Sequence, residues 1–326
     1  MNRHISSCTK KEKNSDKLQP ELNSSKPKYL IIIAGPTATG KTDLAIQLAK
    51  YYKTEIISAD ARQFYKELNI GTAKPSPQQL NEVPHHFINS LSVHDAYDVG
   101  KYETEVLQLL DQLYLKHDTV ILCGGSGLFI KAITDGLDEL PPTDPEVRNQ
   151  LQIIFEQKGI SALQELLKEK DPVYYSKVDI NNPQRLMRAL EVCISTGQPF
   201  SSFHKNEKAK RDFISIKICL DAERSELYKR IDQRVDEMFA NGLLDEAKKL
   251  SPFKELNALQ TVGYSELFQH FENKINLEET KNIIKQHTRN YAKRQITWFK
   301  KDVEYVWLSA EDVSLIINFI NSKIML

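Results

Sequence analysis

The sequence predicts an α/β fold in which helices flank a parallel sheet, interrupted by a small all-helical insertion. Three observations predict it. Short, continuous apolar runs alternate with helical stretches, the pattern of a parallel sheet covered on both faces. The first run leads into a glycine-rich loop that opens a helix, as phosphate-binding loops do. Between about Pro145 and Phe200 strand signals stop and the periodicity becomes purely helical.

Taken in order, residues 1–27 form a polar tail rich in Lys, Asn and Ser, with almost no large apolar side chains. Such a segment cannot bury enough surface to offset its ordering entropy and is expected to be a disordered, solvated tail. Residues 28–144 hold the first part of the core. Tyr29 to Ala34 is a strand buried on both faces, and a helix is expected from Lys41 to Tyr52. Glu55 to Ser58 and Thr119 to Cys123 are further buried strands. Residues 145–205 form the helical insertion. Its clearest helix starts at Asn182-Pro183, a cap followed by proline at the first helical position. Leu186, Ala189, Leu190, Cys193 and Ile194 are expected on its apolar face, and Gly197 ends it. Residues 206–326 complete the core with a strand from Ile214 to Leu220, after which the chain reads as mostly helical.

The chain has 326 residues, 40% of them hydrophobic and 27% charged, with zero net charge. Whole-chain charge therefore argues for no particular partner. Cys8, Cys123, Cys193 and Cys219 lie far apart without a CxxC pair, so neither a zinc site nor a disulfide framework is expected. No apolar run suits a secretory signal or a membrane span, and a reduced, cytoplasmic setting is expected, with no membrane partner.

Gly35-Pro36-Thr37-Ala38-Thr39-Gly40-Lys41-Thr42 satisfies G-x-x-x-x-G-K-S/T. Placed between strand and helix it makes the core P-loop NTPase-like. Its backbone N–H groups and the helix N-terminus attract a di- or triphosphate. Lys41 neutralises charge and Thr42 offers a hydroxyl to Mg²⁺. NTPases, kinases and diphosphate-using transferases all meet this requirement. Asp60 ends the second strand, at the edge of the sheet where ligands of open α/β folds collect. It could bind Mg²⁺ through water, cap the next helix or take a proton from a nucleophile.

The motifs GPTATGKT, SADARQFY (Ser58 to Tyr65), NIGTAKP (Asn69 to Pro75), VPHHFIN (Val83 to Asn89) and GGSGLFIKAI (Gly124 to Ile133) occur in this order. DPEVR (Asp144 to Arg148), NNPQRLMRALEV (Asn181 to Val192), TVGY (Thr261 to Tyr264) and KRQITWF (Lys293 to Phe299) follow. Together they resemble the tRNA dimethylallyltransferase family, bacterial type, from about residue 28 to the C-terminus. The resemblance implies transfer of a dimethylallyl group from dimethylallyl diphosphate to the N6 amine of the adenosine 3′ of the anticodon. It implies that Gly35 to Thr42 hold the diphosphate, that Asp60 is the general base and that Arg230 binds diphosphate. Implied tRNA-contacting residues are Asp60, Ala61, Arg62, Gln63, Ser126, Arg148, Gln184, Arg185, Leu186, Met187, Arg188, Gln260, Thr261, Val262, Gly263 and Tyr264. The implied partners are the anticodon stem-loop, dimethylallyl diphosphate and Mg²⁺, and the protein is expected to act as a monomer. The sequence departs from the family at Ala61, where Ser is common, and at Glu67-Leu68-Asn69, where Gly-Met-Asp is common. It also lacks the C-terminal zinc finger of eukaryotic relatives.

Charge placement bears on an RNA partner. Gln184, Arg185 and Arg188 lie opposite an apolar face, and Lys281, Lys285, Arg289 and Lys293 recur every four residues. Like charges at this spacing repel, so the row is either a solvated face or an RNA grip. His85 and His86 lack further ligands at metal spacing and are expected to be structural, entering a strand. Trp298 and Phe299 are expected in the core. Three rival readings remain: a small-molecule P-loop kinase, a dimethylallyltransferase acting on free AMP or ADP, and a non-catalytic RNA-binding protein. Intact Lys41, Thr42 and Asp60 argue against the last.

Overall fold

The computed structural model describes residues 26–204 and 207–324. The tail expected over residues 1–27 lies outside them except for Lys26 and Pro27. The strands are β1 (Tyr29–Ala34), β2 (Ile56–Ser58), β3 (His85–His86), β4 (Thr119–Gly124), β5 (Ile214–Asp221) and β6 (Val306–Ser309). They form one sheet in the order β3-β2-β4-β1-β5-β6, and every pairing is parallel. β1 is central, with Tyr29 opposite Thr119 on one side and Ile214 on the other.

The central position explains the unbroken apolar run. Leu30, Ile32 and Ala34 enter the core on one face, and Tyr29, Ile31 and Ile33 enter it on the other. Full burial of such a side chain stabilises by roughly 1.5–3 kcal/mol. The first face is covered by α3 (Val99–Leu113) and α4 (Gly127–Asp135), the second by α1 (Lys41–Tyr52) and α13 (Val313–Ile324). The short helix α2 (Pro77–Glu82) precedes β3. His85 and His86 are themselves an edge strand, with His86 Nε2 2.6 Å from Glu55.

Four helices follow the first half of the sheet: α5 (Pro145–Lys158), α6 (Ile160–Lys170), α7 (Pro172–Tyr175) and α8 (Pro183–Thr196). With Phe200–Phe203 they share a core of Leu151, Leu163, Leu167, Leu186, Leu190 and Phe200. Asn182 caps α8 by accepting from the Arg185 N–H, and Gly197 closes it in a left-handed conformation. Ile194 departs from expectation: it is 40% exposed, while Met187 and Val192 are buried. The buried arc of α8 is thus centred nearer its N-terminus than the sequence periodicity suggested.

The chain then forms β5, α9 (Arg224–Ala240), α10 (Leu243–Leu250), α11 (Tyr264–Phe271) and the long α12 (Leu277–Phe299) before β6. β6 was not foreseen. It is a four-residue edge strand without a fully buried side chain, so it lacks the apolar run that marks the inner strands. Phe299 is buried as expected, but Trp298 is 38% exposed, lying over Gly127 at the start of α4.

Candidate active site

The carboxyl ends of β1, β2 and β4 open onto a cavity of about 1200 Å³. The phosphate loop forms its floor. Gly35 has φ +146°, and a Cβ there would meet the Leu220 backbone at 3.1–3.2 Å, so only glycine lets the loop leave β1 against β5. Thr39 Oγ1 donates to the Pro36 carbonyl at 2.8 Å, fixing the curl of the loop. Thr37, Ala38, Thr39, Gly40, Lys41 and Thr42 line the cavity. Gly35 and Pro36 lie beneath them and shape the loop. The first N–H groups of α1 have no intrahelical acceptor, which leaves them for an anion.

Lys41 Nζ folds back onto the Pro36 carbonyl at 2.6 Å. Burial pushes its ammonium down to about 8, and the nearby Arg234 cation acts in the same direction. An arriving diphosphate would act in the opposite direction, favouring the charged ammonium.

The second wall is the Asp60 turn. Asp60 Oδ1 accepts the Arg62 N–H at 3.0 Å, and the carboxylate lines the cavity. Ser126 Oγ accepts the Ala61 N–H at 3.1 Å. The turn is thus held through main chain, which Ala61 supplies as well as Ser would. Arg62 donates to the carbonyls of Asn257 at 3.2 Å and Gln260 at 3.5 Å, tying the 257–260 segment to the turn. Gln63 Nε2 donates to the carbonyls of Thr72 and Ala73, at 3.2 and 3.3 Å. Lys74 stands in the same wall, and burial pushes it down to about 8.

The structure brings Asp60, Ala61, Arg62, Gln63, Ser126, Gln260, Thr261, Val262 and Gly263 to this cavity together with the phosphate loop. It does not bring Tyr264 there. That ring is fully buried against Gly71, and its hydroxyl donates to Glu246 at 2.6 Å. Arg148, Gln184, Arg185 and Arg188 lie in the helical module, outside the cavity lining. Leu186 and Met187 are buried in that module's core, so their side chains hold α8 in place and do not face outward.

Arg230, expected to bind diphosphate, is not among the residues lining the cavity: its side chain is 39% exposed and pairs with Glu311 at 3.2 Å and Glu226 at 3.7 Å. Arg234, one turn on, takes the expected position: it lines the cavity and its Nη1 donates to Thr37 Oγ1 at 3.2 Å. Four residues advance a helix by about 6 Å and turn it by about 40°, which separates a surface cation from one in the site.

Two further residues come from α12. Gln295 is buried; its Oε1 accepts the Thr37 N–H and its Nε2 donates to the Gly125 carbonyl, both at 2.9 Å. It bridges the phosphate loop and the turn after β4. Tyr291, one turn earlier, lines the cavity beside Ser126. Burial pushes its phenol up to about 12, and the neighbouring Asp60 carboxylate acts the same way. Gln295 stood inside the KRQITWF motif, but no charge or spacing marked it as part of a site.

The row Lys281, Lys285, Arg289 and Lys293 runs along α9, with Lys293 exposed and the other three partly buried. Lys285 pairs with Asp236 at 2.7 Å, and Arg289 pairs with Asp232. Lys281 lies over the Phe239 ring and Lys293 over the Tyr228 ring. All four partners belong to α9, so the row is the seam of an antiparallel helix pair.

The donors for a metal are hard oxygens, the Thr42 hydroxyl and the Asp60 carboxylate, which suit Mg²⁺ rather than a soft metal. Among the described residues no group of three or more His, Cys, Asp or Glu gathers to hold a metal. A Mg²⁺ here would need diphosphate oxygens and water to complete its shell. Among the described residues no helix is long and apolar enough to cross a membrane.

Comparison with known proteins follows the same lines. The family described as IPP transferase matches residues 63–302. A tRNA dimethylallyltransferase of Christiangramia forsetii is 52% identical over 297 residues, covering 91% of this chain and 98% of the relative. One from Cytophaga hutchinsonii is 47% identical over 297 residues, with the same coverage of 91% and 98%. Among solved structures, the tRNA isopentenylpyrophosphate transferase of Bacillus halodurans superposes with a TM-score of 0.69 at 32% identity, covering 91% of this chain and 97% of that one. A eukaryotic dimethylallyltransferase acting on tRNA gives a TM-score of 0.73 at 28% identity, covering 88% and 75%.

Proposed function

The chain belongs to the IPP transferase family, and on that premise we propose that it transfers a dimethylallyl group from dimethylallyl diphosphate to the N6 amine of the adenosine 3′ of the anticodon. The observation that carries the reading is the meeting of the phosphate loop with the Asp60 turn in one cavity of about 1200 Å³. That exceeds the usual range of roughly 300–1,000 Å³ for a single small ligand and has room for a diphosphate and an extruded base together.

The chemistry follows from the side chains. An adenine amine is a weak nucleophile because its lone pair is delocalised into the ring. An allylic diphosphate compensates, since its C1 carries partial positive charge as the leaving group departs. The N6–C1 bond forms, the C1–O bond breaks, and diphosphate leaves with the bonding electrons. Lys41, Arg234 and the loop N–H groups stabilise that growing anion. Asp60 accepts the proton lost from N6. Thr42 would hold Mg²⁺, which when bound supplies further charge neutralisation on the diphosphate. Gln295 and Tyr291 keep the donor and acceptor loops in register.

The acceptor is RNA on this reading, because Arg148, Arg185 and Arg188 sit on a helical module that a mononucleotide has no means to reach from the cavity. We further propose a cytoplasmic monomer. The test is mass spectrometry of nucleosides after incubating the protein with dimethylallyl diphosphate, Mg²⁺ and an anticodon stem-loop bearing adenine 3′ of the anticodon. AMP and ADP serve as competing acceptors. A dimethylallyl adduct on that adenosine is expected. Equal modification of AMP would move the assignment to the free nucleotide, and no adduct on either would sink the transferase reading.

A further inference from the structure

The helical module carries a buried carboxylate that the reaction above does not use. Glu191, on α8, is only 2% exposed, and its neighbours in sequence, Leu190 and Val192, belong to the module's apolar core. A carboxylate in such a place must be paired. Its Oε1 accepts from Arg148 Nη1 of α5 at 2.5 Å, and its Oε2 accepts from Arg188 Nη1 at 3.4 Å. Arg148 Nη2 also donates to Gln184 Oε1 at 3.2 Å, and Arg188 Nη1 reaches Thr143 Oγ1 at 3.4 Å.

One arginine would neutralise Glu191; the structure supplies two. The cluster therefore keeps a net positive charge. Both arginine side chains are about half open to water, at 52% and 45%. Each guanidinium has more N–H donors than these bonds use. Their separation is fixed because α5 and α8 share one core. Two oriented, partly exposed forks anchored on one buried carboxylate match a phosphodiester, whose oxygens accept bidentate bonds.

We propose that Glu191 is a positioning residue that holds Arg148 and Arg188 as a phosphate-binding fork for the backbone of the RNA acceptor. The proposal rests on the RNA-acceptor reading. Without the carboxylate, two like charges on adjacent helices repel and both forks lose their orientation.

The experiment compares wild type with Glu191→Gln, using an anticodon stem-loop at several salt concentrations. The variant should raise the KM for the stem-loop about tenfold and reduce the slope of log affinity against log salt by about one. The KM for dimethylallyl diphosphate should stay the same, and the effect should fall on stem-loop KM rather than kcat. A role confined to stability would lower the melting temperature and leave the salt slope alone. Should Glu191→Gln fold poorly, Arg148→Gln serves instead, since that side chain is half exposed; the same rise in KM and loss of slope are expected. Unchanged stem-loop KM and salt slope in a folded variant overturn the proposal while wild-type transfer upholds the acceptor reading. Absence of wild-type transfer to the stem-loop would overturn both.

Discussion

Exchanging Arg234 for Gln should slow transfer by about 10²–10³, whereas Arg230→Gln should leave it unchanged. The two arginines stand one turn apart on α9, so the pair isolates position from residue type. Arg234 reaches the lip of the phosphate loop, 3.2 Å from Thr37 Oγ1. A phosphate oxygen seated in that loop would come within about 4 Å of it. At an effective dielectric near 20 two unit charges at that distance attract by roughly 4 kcal/mol. Part of this acts on bound diphosphate before reaction and lowers KM alone. The rest grows as the C1–O bond breaks, and loss of one such preorganised donor typically costs about 2.7–4 kcal/mol in the transition state. Arg230 faces Glu311 across an exposed pair at 3.2 Å; pairs of this kind contribute about 0–1 kcal/mol to stability and nothing to the chemistry. Single-turnover transfer of labelled dimethylallyl to a saturating stem-loop reads the step directly, with melting temperatures as the control for folding. Equal slowing by the two variants, or Arg234→Gln with wild-type turnover, would refute the reasoning.

Three other outcomes follow from the same site. Asp60→Asn should cut turnover by roughly 10²–10⁴ with stem-loop affinity intact, because only proton acceptance is lost; near-normal turnover removes Asp60 as the base. Lys41 sits at about 8 in the free protein, so it is charged below that pH and neutral above it. Affinity for inorganic diphosphate should therefore fall as pH rises through 8, with proton uptake on binding above it, and calorimetry showing neither would contradict the assignment. Lys285→Glu should lower the melting temperature by setting two carboxylates against each other at the α9–α12 seam, and adding Asp236→Lys should restore it; a single reversal that weakens stem-loop binding without touching stability would favour an RNA grip.

The sheet was legible where burial was two-sided. β1 and β4 each present an unbroken apolar run because helices cover both faces, whereas β5 interleaves Ser215 and Lys217 with its isoleucines. β6 was illegible for the opposite reason: at the edge of the sheet its side chains are all half-buried, and VWLS carries neither alternation nor a long run. Caps were also legible. Asn182-Pro183 and Gly197 bound α8 as their local chemistry dictates. The length of its buried face was not: Ile194 shares the face of Met187 and Leu190 but lies in the last turn, where it is 40% exposed.

A different limit governs the candidate site. The phosphate loop and Asp60 declare themselves because strand ends fix where they stand, whatever surrounds them. Residues on helices need a phase, and α9 and α12 set theirs against each other. Lys281, Lys285, Arg289 and Lys293 repeat every four residues and meet Phe239, Asp236, Asp232 and Tyr228 on an antiparallel neighbour. From one helix alone the row looked like an unpaired cationic surface; its counter-charges lie some fifty residues earlier in the chain. Once that seam is fixed, the cavity side of α12 is fixed with it. Ile284, Thr288, Tyr291 and Gln295 line the cavity, at alternating steps of four and three residues. On α9 the seam leaves Arg234, Val235 and Met238 for the cavity and turns Arg230 away. A charge pattern that reads as a nucleic-acid grip is therefore the device that aims Arg234 into the cavity. The contacts with RNA must be sought on surfaces whose charges remain in excess, as they do around Glu191.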